Sequence, residues 1–447
     1  MHIQTLKIEN LRSFKSVELD FNVPTTGDMQ IQYPNVNVLL GDNGLGKTSV
    51  LRAVALSVLG PLLSGSSGFV PEGLVRRTAS LPNPEDSTAA KISLKKTPSA
   101  TITATILSTD EEKKTDQKSE WLPDQFSLST NISSYGSTER MRYKVTPRSI
   151  YASVEFLQFN ENNPAFFIVG YGATRRVEAS TRVDESARNK SRLRRYERVA
   201  SLFEDHLTLM PLSYWLPEYA KTNKGRYTQV INLINELLPK NCQIQRTAEG
   251  REHLFEMNGV VLPFSSLSDG FKAYIGWIGD MLFHVCQGVS TGLKLREMRG
   301  VVMVDEIDLH LHPEWQRIVV PTLAKALPNV QFIFTTHSPL VVGSLTSQNL
   351  FLLVQEKSST VIRRLPEHVK GKSSEQILLS PYFGLESTRS TGTAAKLKDL
   401  ARSAVSGNIE ASARYLKIMA ADIDFESMRS TPETSSSIKK KKEGLKG

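Results

Sequence analysis

Eight consecutive residues, Gly41-Asp42-Asn43-Gly44-Leu45-Gly46-Lys47-Thr48, hold the densest chemistry in this chain, and Ser49 follows them directly. Three glycines let the backbone come close to a ligand and turn its N–H groups inward, while a lysine and a threonine close the run. That spacing is the pattern of a loop that wraps phosphates: Lys47 would reach the β- and γ-phosphates of a nucleotide and the Thr48 hydroxyl would hold Mg²⁺. A second motif, Val301-Val302-Met303-Val304-Asp305-Glu306, is an apolar run ending in two carboxylates. Paired with the loop, Asp305 is expected to hold Mg²⁺, directly or through water, and Glu306 to polarise an attacking water as general base. A third, Phe334-Thr335-Thr336-His337-Ser338, ends a further apolar run on a histidine that would contact the γ-phosphate and help position that water.

Leu267-Ser268-Asp269-Gly270 is less specific. Ser268 and the amides of the helix behind it would make an anion site, or Ser268 is an ordinary helix cap; the residue types leave both readings open.

Catalytic groups at strand ends need a sheet to bring them to one edge. Ile3 to Ile8 and Val17 to Phe21 alternate around the polar turn Asn10 to Lys15, as a hairpin does. Val36 to Leu40 reads as a buried strand feeding the glycine loop, and Val50, Leu51, Val54, Ala55 and Val58 repeat at helical spacing behind it. The order strand, loop, helix is the context that such a loop requires. Residues 64–151 turn rich in Ser, Thr, Lys and Pro and are expected to form an inserted, partly β and partly mobile arm, with Ile102 to Leu107 strand-like. Phe166 to Gly170 returns to the sheet, and between Arg175 and Arg198 nine basic residues face four acidic ones along a helix with Leu193, Tyr196 and Val199 as its apolar stripe. Strands at Val301 to Val304 and Gln331 to Phe334, with more near Phe351 and Val361, alternate with helices from Asp269 and Pro313. The expected class is α/β, with a mixed, mainly parallel central sheet, a helical lobe and the inserted arm. The corresponding divisions are 1–63 for the loop-bearing lobe, 64–151 for the arm, 152–262 for the helical lobe and return, and 263–365 for the second half of the core. A C-terminal helical region at 366–426 and a disordered basic tail at 427–447 complete them.

Composition sets wider bounds. Fifty-five basic residues against 46 acidic ones leave a formal charge of +9, compatible with an anionic partner. Cys242 and Cys286 form no CxxC pair and no secretory leader is visible, so a reducing cytoplasm is the expected setting. No run approaches the roughly 18 to 20 apolar residues that cross a bilayer.

Taken in order, these motifs resemble the ABC-type ATPase heads of the SMC, RecF and OLD-like group. The resemblance implies that Leu267-Ser268-Asp269-Gly270 is the signature, with Ser268 and Gly270 touching the nucleotide of an opposite subunit. Asp305-Glu-Ile-Asp-Leu-His-Leu-His-Pro313 is similar to that group's Walker B strand and the loop after it. Asn10-Leu-Arg-Ser-Phe14 resembles its N-terminal motif, which would bring Arg12 near the nucleotide, and Gln158 is the candidate for its Q-loop glutamine. Within the group, Gly170 to Arg175, the Leu-Ser-Asp-Gly-Phe signature and Ile377 to Ser387 look closest to ATPase subunits of bacterial phage-defence systems of the Septu type. ATP and Mg²⁺ as cofactors, hydrolysis to ADP and phosphate, and a homodimer or larger assembly around two ATP molecules are what this implies. Nothing after His337 supplies the spaced acids of a TOPRIM nuclease, so no nuclease activity of its own is expected, and a separate nuclease or effector would be the partner. DNA is a further candidate partner through Arg192, Arg194 and Arg195, whereas a membrane is not. An ATP-dependent DNA clamp with little turnover, and a transporter ATPase subunit, are the competing readings.

Overall fold

A computed structural model describes residues 1–24, 31–65, 69–80, 93–97, 99–113, 122–135, 138–177, 193–249, 252–290 and 292–420. The chain opens with an antiparallel hairpin, β1 (His2–Leu11) and β2 (Phe14–Asp20), whose Leu11 pairs with Phe14 across Arg12 and Ser13. This turn is tighter than the expected Asn10 to Lys15, because Asn10 and Arg12 take positive φ values of 52° and 46°. β3 (Val36–Leu40) feeds the glycine loop and α1 (Lys47–Gly65). β4 (Arg77–Ser80), β5 (Ser93–Lys96), β6 (Ser99–Leu107), β7 (Gln125–Tyr135) and β8 (Thr138–Thr146) follow, then α2 (Tyr151–Phe159) and β9 (Ile168–Tyr171). Next come β10 (Arg176–Val177), α3 (Arg194–Ala200), β11 (Thr208–Leu209), α4 (Leu212–Thr222) and α5 (Lys224–Leu237). β12 (Cys242–Glu249), β13 (Glu252–Met257) and β14 (Val260–Pro263) form a small antiparallel sheet. α6 (Asp269–Gly288), β15 (Gly300–Val304), α7 (Pro313–Ala326), β16 (Val330–Thr335), β17 (Leu350–Glu356) and β18 (Ser359–Arg363) complete the core.

The central sheet has the order β18-β17-β3-β16-β15-β9 and is parallel except for the edge strand β18. β3, β15 and β16 are buried along their whole length, which is why they read as continuous apolar runs and not as alternation. Their side chains sort by turn onto two cores. Leu39, Val301, Met303 and Ile333 pack with α1, whereas Val38, Leu40, Val302, Val304, Phe332 and Phe334 pack with α5, α6 and α7. α1 is apolar on every side because it lies between this sheet and a second one, the antiparallel β2-β1-β6-β7-β8.

The strand expected at Ile102 to Leu107 lies in β6, and it belongs to the second sheet. β6, β7 and β8 join the N-terminal hairpin, and Ala100, Ile102, Ala104, Ile106, Phe126, Leu128 and Ile132 are buried in the α1 core. Their Ser and Thr neighbours occupy the other face of the sheet, so the polar texture is one side of a half-buried sheet. The expected helical lobe likewise contains strands, β12 to β14. The chain divides into compact units Met1–Gly384 and Leu385–Gly447. Residues 366–384 therefore belong with the core, where the Tyr382 hydroxyl donates to the carbonyls of Leu365 and Glu367, each at 3.1 Å. In the second unit α8 (Thr391–Val405) and α9 (Ile409–Ala420) pack against each other. The expected tail at 427–447 lies outside the described residues, among which no helix is long and apolar enough to cross a membrane.

Candidate nucleotide site

β3, β16 and β15 run parallel in adjacent register, so Gly41, Asp305 and Thr336 emerge at one edge of the sheet. In the loop, Gly41, Gly44 and Gly46 take φ values of 137°, 82° and 99°, which side-chain-bearing residues rarely adopt. Two of them are also crowded: a Cβ on Gly41 would lie 2.6 Å from the Leu353 carbonyl, and one on Gly46 would lie 2.6 Å from Ser13 Oγ and 2.8 Å from the Phe14 ring. Asp42, Asn43 and Gly44 are exposed at the rim, Leu45 is half-buried, and Ser49 is buried at the start of α1. Lys47 folds back into the loop, donating from Nζ to the carbonyls of Gly41 at 2.7 Å and Asp42 at 3.1 Å. Burial lowers its pKa, against the pull of Asp305, Glu306, Asp42 and Asp308.

Asp305 is held on both carboxylate oxygens. Thr48 Oγ1 donates to Oδ2 at 2.6 Å and Thr335 Oγ1 donates to Oδ1 at 2.5 Å. The next residue, Glu306, takes a left-handed φ of 49°, and its N–H donates to Thr335 Oγ1 at 2.7 Å. Arg175, at the end of the segment after β9, donates from Nη1 to the Asp305 carbonyl at 2.5 Å and from Nη2 to the Glu306 carbonyl at 2.9 Å. Its pKa falls to about 10 through burial, opposed by Asp305, Asp308 and Glu306, so it stays charged at neutral pH. The Glu306 side chain is half-buried and has no hydrogen-bond partner among the described residues. Beyond it, Thr336 Oγ1 donates to Asp308 Oδ1 at 2.5 Å and Ser338 Oγ to Gln316 Oε1 at 2.7 Å, tying the turn after β15 to β16 and α7. Arg175, Thr335 and Gln316 were not assigned roles from sequence. The strand-end threonines Thr335 and Thr336 were the available signal for part of this network.

Other expected residues fall in different places. His337 is exposed one residue past Thr336 on the same sheet edge. Arg12 sits half-buried in the β1–β2 turn, beside Ser13, whose Oγ donates to the Leu45 carbonyl at 3.1 Å; Arg12 Nε donates to the Gly73 carbonyl at 3.3 Å. Burial lowers the Arg12 pKa, and the like charge of Arg52 adds to the shift. Ser268 caps α6 without a side-chain hydrogen bond to it, and its hydroxyl is exposed. Gly270 packs so closely that a Cβ would lie 2.8 Å from the His310 carbonyl. α6 covers the face of the central sheet opposite to α1, so the Ser268 loop and the glycine loop start from helices on opposite faces.

Two expectations are corrected. Gln158 is fully buried, with Nε2 donating to the Val58 carbonyl at 2.5 Å, about 16 Å along α1 from Lys47. It packs beneath that helix and does not meet the phosphate loop. In the basic stretch, Arg195 is 2% exposed and donates to five main-chain carbonyls, those of Leu157, Asn160, Asn163, Ala165 and Phe166. Arg198 is buried over the Phe167 ring, 5.0 Å from its centroid. Both guanidiniums are committed to the interior, which leaves Arg194 exposed, while Arg192 lies outside the described residues.

The residues at the sheet edge suit a nucleotide and a hard cation. No group of three or more His, Cys, Asp or Glu among the described residues could hold a metal by itself. The Thr48 hydroxyl and the Asp305 carboxylate are instead the sparse oxygen set that Mg²⁺ takes together with water and substrate phosphate. The first amides of α1 and the positive-φ glycines supply the N–H donors that a polyphosphate needs.

Residues 36–343, more than half of the chain, match the family model described as "AAA domain, putative AbiEii toxin, Type IV TA system". The chain is similar to the Septu protein PtuA of Bacillus mycoides (strain KBAB4), with 26% identity over 86% of this chain and 45% of that one. It is also similar to the Retron Ec83 probable ATPase of Escherichia coli, with 33% identity over 41% of this chain and 33% of that one. It thus spans less than half the length of these curated relatives. Among solved structures, the SMC head bound to the C-winged helix domain of ScpA aligns over 82% of this chain and 98% of that one, at 16% identity and a TM-score of 0.47.

Proposed function

We propose, from the premise that this chain belongs to the AAA domain family described as putative AbiEii toxin, Type IV TA system, that it binds Mg·ATP at Gly41–Thr48 and hydrolyses it at Asp305 and Glu306. The observation that carries this reading is the hydrogen-bonded chain Thr48–Asp305–Thr335, which joins the phosphate loop to the ends of β15 and β16. Lys47 would exchange its two loop carbonyls for phosphate oxygens, an exchange of partners that leaves the surrounding fold in place. Thr48 and Asp305 would hold Mg²⁺, whose charge neutralises the developing negative charge on the phosphates. Glu306, whose carboxylate has no hydrogen-bond partner among the described residues, would take a proton from the attacking water, and His337 would orient that water. Arg12, in the turn whose Ser13 hydroxyl donates to the Leu45 carbonyl of the loop, would lie near the nucleotide.

The opposite placement of the Ser268 loop supports completion of the site by a second copy, in a head-to-tail pair related by a two-fold axis. Ser268, with its hydroxyl unused in its own cap, and Gly270 would then meet the nucleotide held by the partner copy. The similarity to a Septu protein and to a retron's probable ATPase supports a role in bacterial phage defence; in this reading the chain acts in the cytoplasm and its nucleotide state governs a separate nuclease or effector.

Phosphate release and size-exclusion chromatography, with and without Mg·ATP, test the core of this reading. Lys47→Ala should lose nucleotide binding. Glu306→Gln should bind ATP, release phosphate at least 100-fold more slowly, an order of magnitude typical of a lost general base, and accumulate as a dimer. Wild-type turnover in Glu306→Gln would rule out the base assignment, and an unchanged elution volume with ATP would rule out the paired site.

A further inference from the structure

Arg175 is a buried cation with no carboxylate hydrogen-bonded to it among the described residues; its Nη1 and Nη2 both donate to main-chain carbonyls. Burying a guanidinium is costly unless its donors are used, so what those donors hold indicates what the side chain is for. They hold two consecutive carbonyls, those of Asp305 and Glu306. The other main-chain groups of this dipeptide are also engaged. The Asp305 N–H donates to the Tyr171 carbonyl at 2.8 Å, the Glu306 N–H to Thr335 Oγ1 at 2.7 Å, and the following Ile307 N–H to the Thr335 carbonyl at 2.9 Å. Within this cage Glu306 adopts a left-handed φ of 49°. For a residue with a side chain, such a conformation is strained and persists only where its surroundings over-determine it.

The loop that delivers Arg175 is itself fixed. Ser201 Oγ donates to the Gly170 carbonyl at 2.9 Å and accepts from the Gly172 N–H at 3.3 Å. A Cβ on Gly172 would come within 2.2 Å of the Ser201 carbonyl, so only glycine allows this approach. Arg175 is therefore carried on a rigid extension of β9, the strand beside β15.

We propose that Arg175 is a positioning residue for Glu306: its planar fork spans the two carbonyls and holds Glu306 in the left-handed conformation from which its carboxylate projects into the site. This rests on the reading of Glu306 as the general base. A lysine keeps the charge but is a single point donor without the fork, so it cannot span both carbonyls in the same way. Asp305 keeps its own side-chain partners, Thr48 and Thr335, whatever stands at 175, and Lys47 is held by the loop. Nucleotide affinity and turnover should therefore separate.

The test compares wild type, Arg175→Lys, Glu306→Gln and the double variant by binding of a fluorescent ATP analogue, steady-state phosphate release and thermal melting. Arg175→Lys should bind nucleotide within about 3-fold of wild type, keep KM, and lose about 10²-fold in kcat, the scale of a small misplacement of a reacting group. The double variant should be no slower than Glu306→Gln alone, since a residue acting through Glu306 has nothing left to position. Wild-type kcat in Arg175→Lys beside an inactive Glu306→Gln would overturn the proposal and leave the base assignment standing. Wild-type kcat in Glu306→Gln would instead remove the base assignment on which it rests. Multiplicative losses in the double variant, or an affinity loss as large as the kcat loss, would show a general structural role and also overturn it. If Arg175→Lys fails to fold, Arg175→Gln replaces it; failure of both to fold would mark the side chain as a fold requirement and reject the positioning role.

Discussion

Asp305 illustrates how one side chain depends on partners far apart in sequence. Its two oxygens are held by Thr48, from the loop after β3, and by Thr335, from the end of β16. Thr335 does double duty, because the same Oγ1 accepts the Glu306 N–H. Replacing it by the isosteric valine removes both contacts and leaves a part-buried N–H without its acceptor. Thr335→Val should destabilise the protein by about 1–3 kcal/mol in urea denaturation and slow phosphate release further than that loss explains. A loss of stability with unchanged turnover would show that the Thr335 contacts hold only the fold. Thr48, Asp305 and Glu306 could be singled out from sequence because each belongs to a short contiguous pattern. Arg175 could not, because its partners are carbonyls of another strand and carry no residue identity.

At the scale of elements, the loop before α1 separates two effects of glycine. Gly44 and Gly46 both have positive φ, yet a Cβ on Gly44 would meet nothing within 4 Å whereas one on Gly46 would strike Ser13 and the Phe14 ring. Gly44→Ala should therefore cost only its backbone strain, about 1 kcal/mol, while Gly46→Ala should push the β1–β2 turn off the loop and weaken binding of a fluorescent ATP analogue at least tenfold more. Equal effects would show that backbone strain alone sets the requirement. α1 itself was legible as a helix from its spacing. Its burial between two sheets was not, because, of the strands that cover it, β6 and β7 alternate apolar residues with Ser and Thr and β8 is rich in charge, so their composition imitates a mobile arm.

For the whole molecule, two buried histidines set how acid acts on the fold. His253 is pushed down to about 4 by burial, and His2 to about 3 by burial first and then by the N-terminal charge. The Nδ1 atom of each has no hydrogen-bond partner among the described residues. Both are neutral when folded and free to protonate when unfolded, so the unfolded state binds more protons below the ordinary value of about 6.5. Stability should be independent of these groups above pH 7 and should fall by up to about 1.4 kcal/mol per pH unit for each as the pH drops from 6.5 toward 4. Urea midpoints at pH 7 and pH 5 measure this, and the gap between them should narrow in His253→Gln; an unchanged gap would remove His253 as a source. The sequence by itself determined the α/β class, the strand, loop and helix around Lys47, and the carboxylates at the end of β15, because each follows from hydrophobic period or from contiguous residues. Only the tertiary structure decided that β6 to β8 complete a sheet with β1 and β2, that Arg195 and Arg198 face inward, and that Arg175 clamps Asp305 and Glu306. The physical reason is the same in each case: burial and main-chain hydrogen bonding join segments distant in sequence, and a residue's type does not say which carbonyl or which helix it will meet.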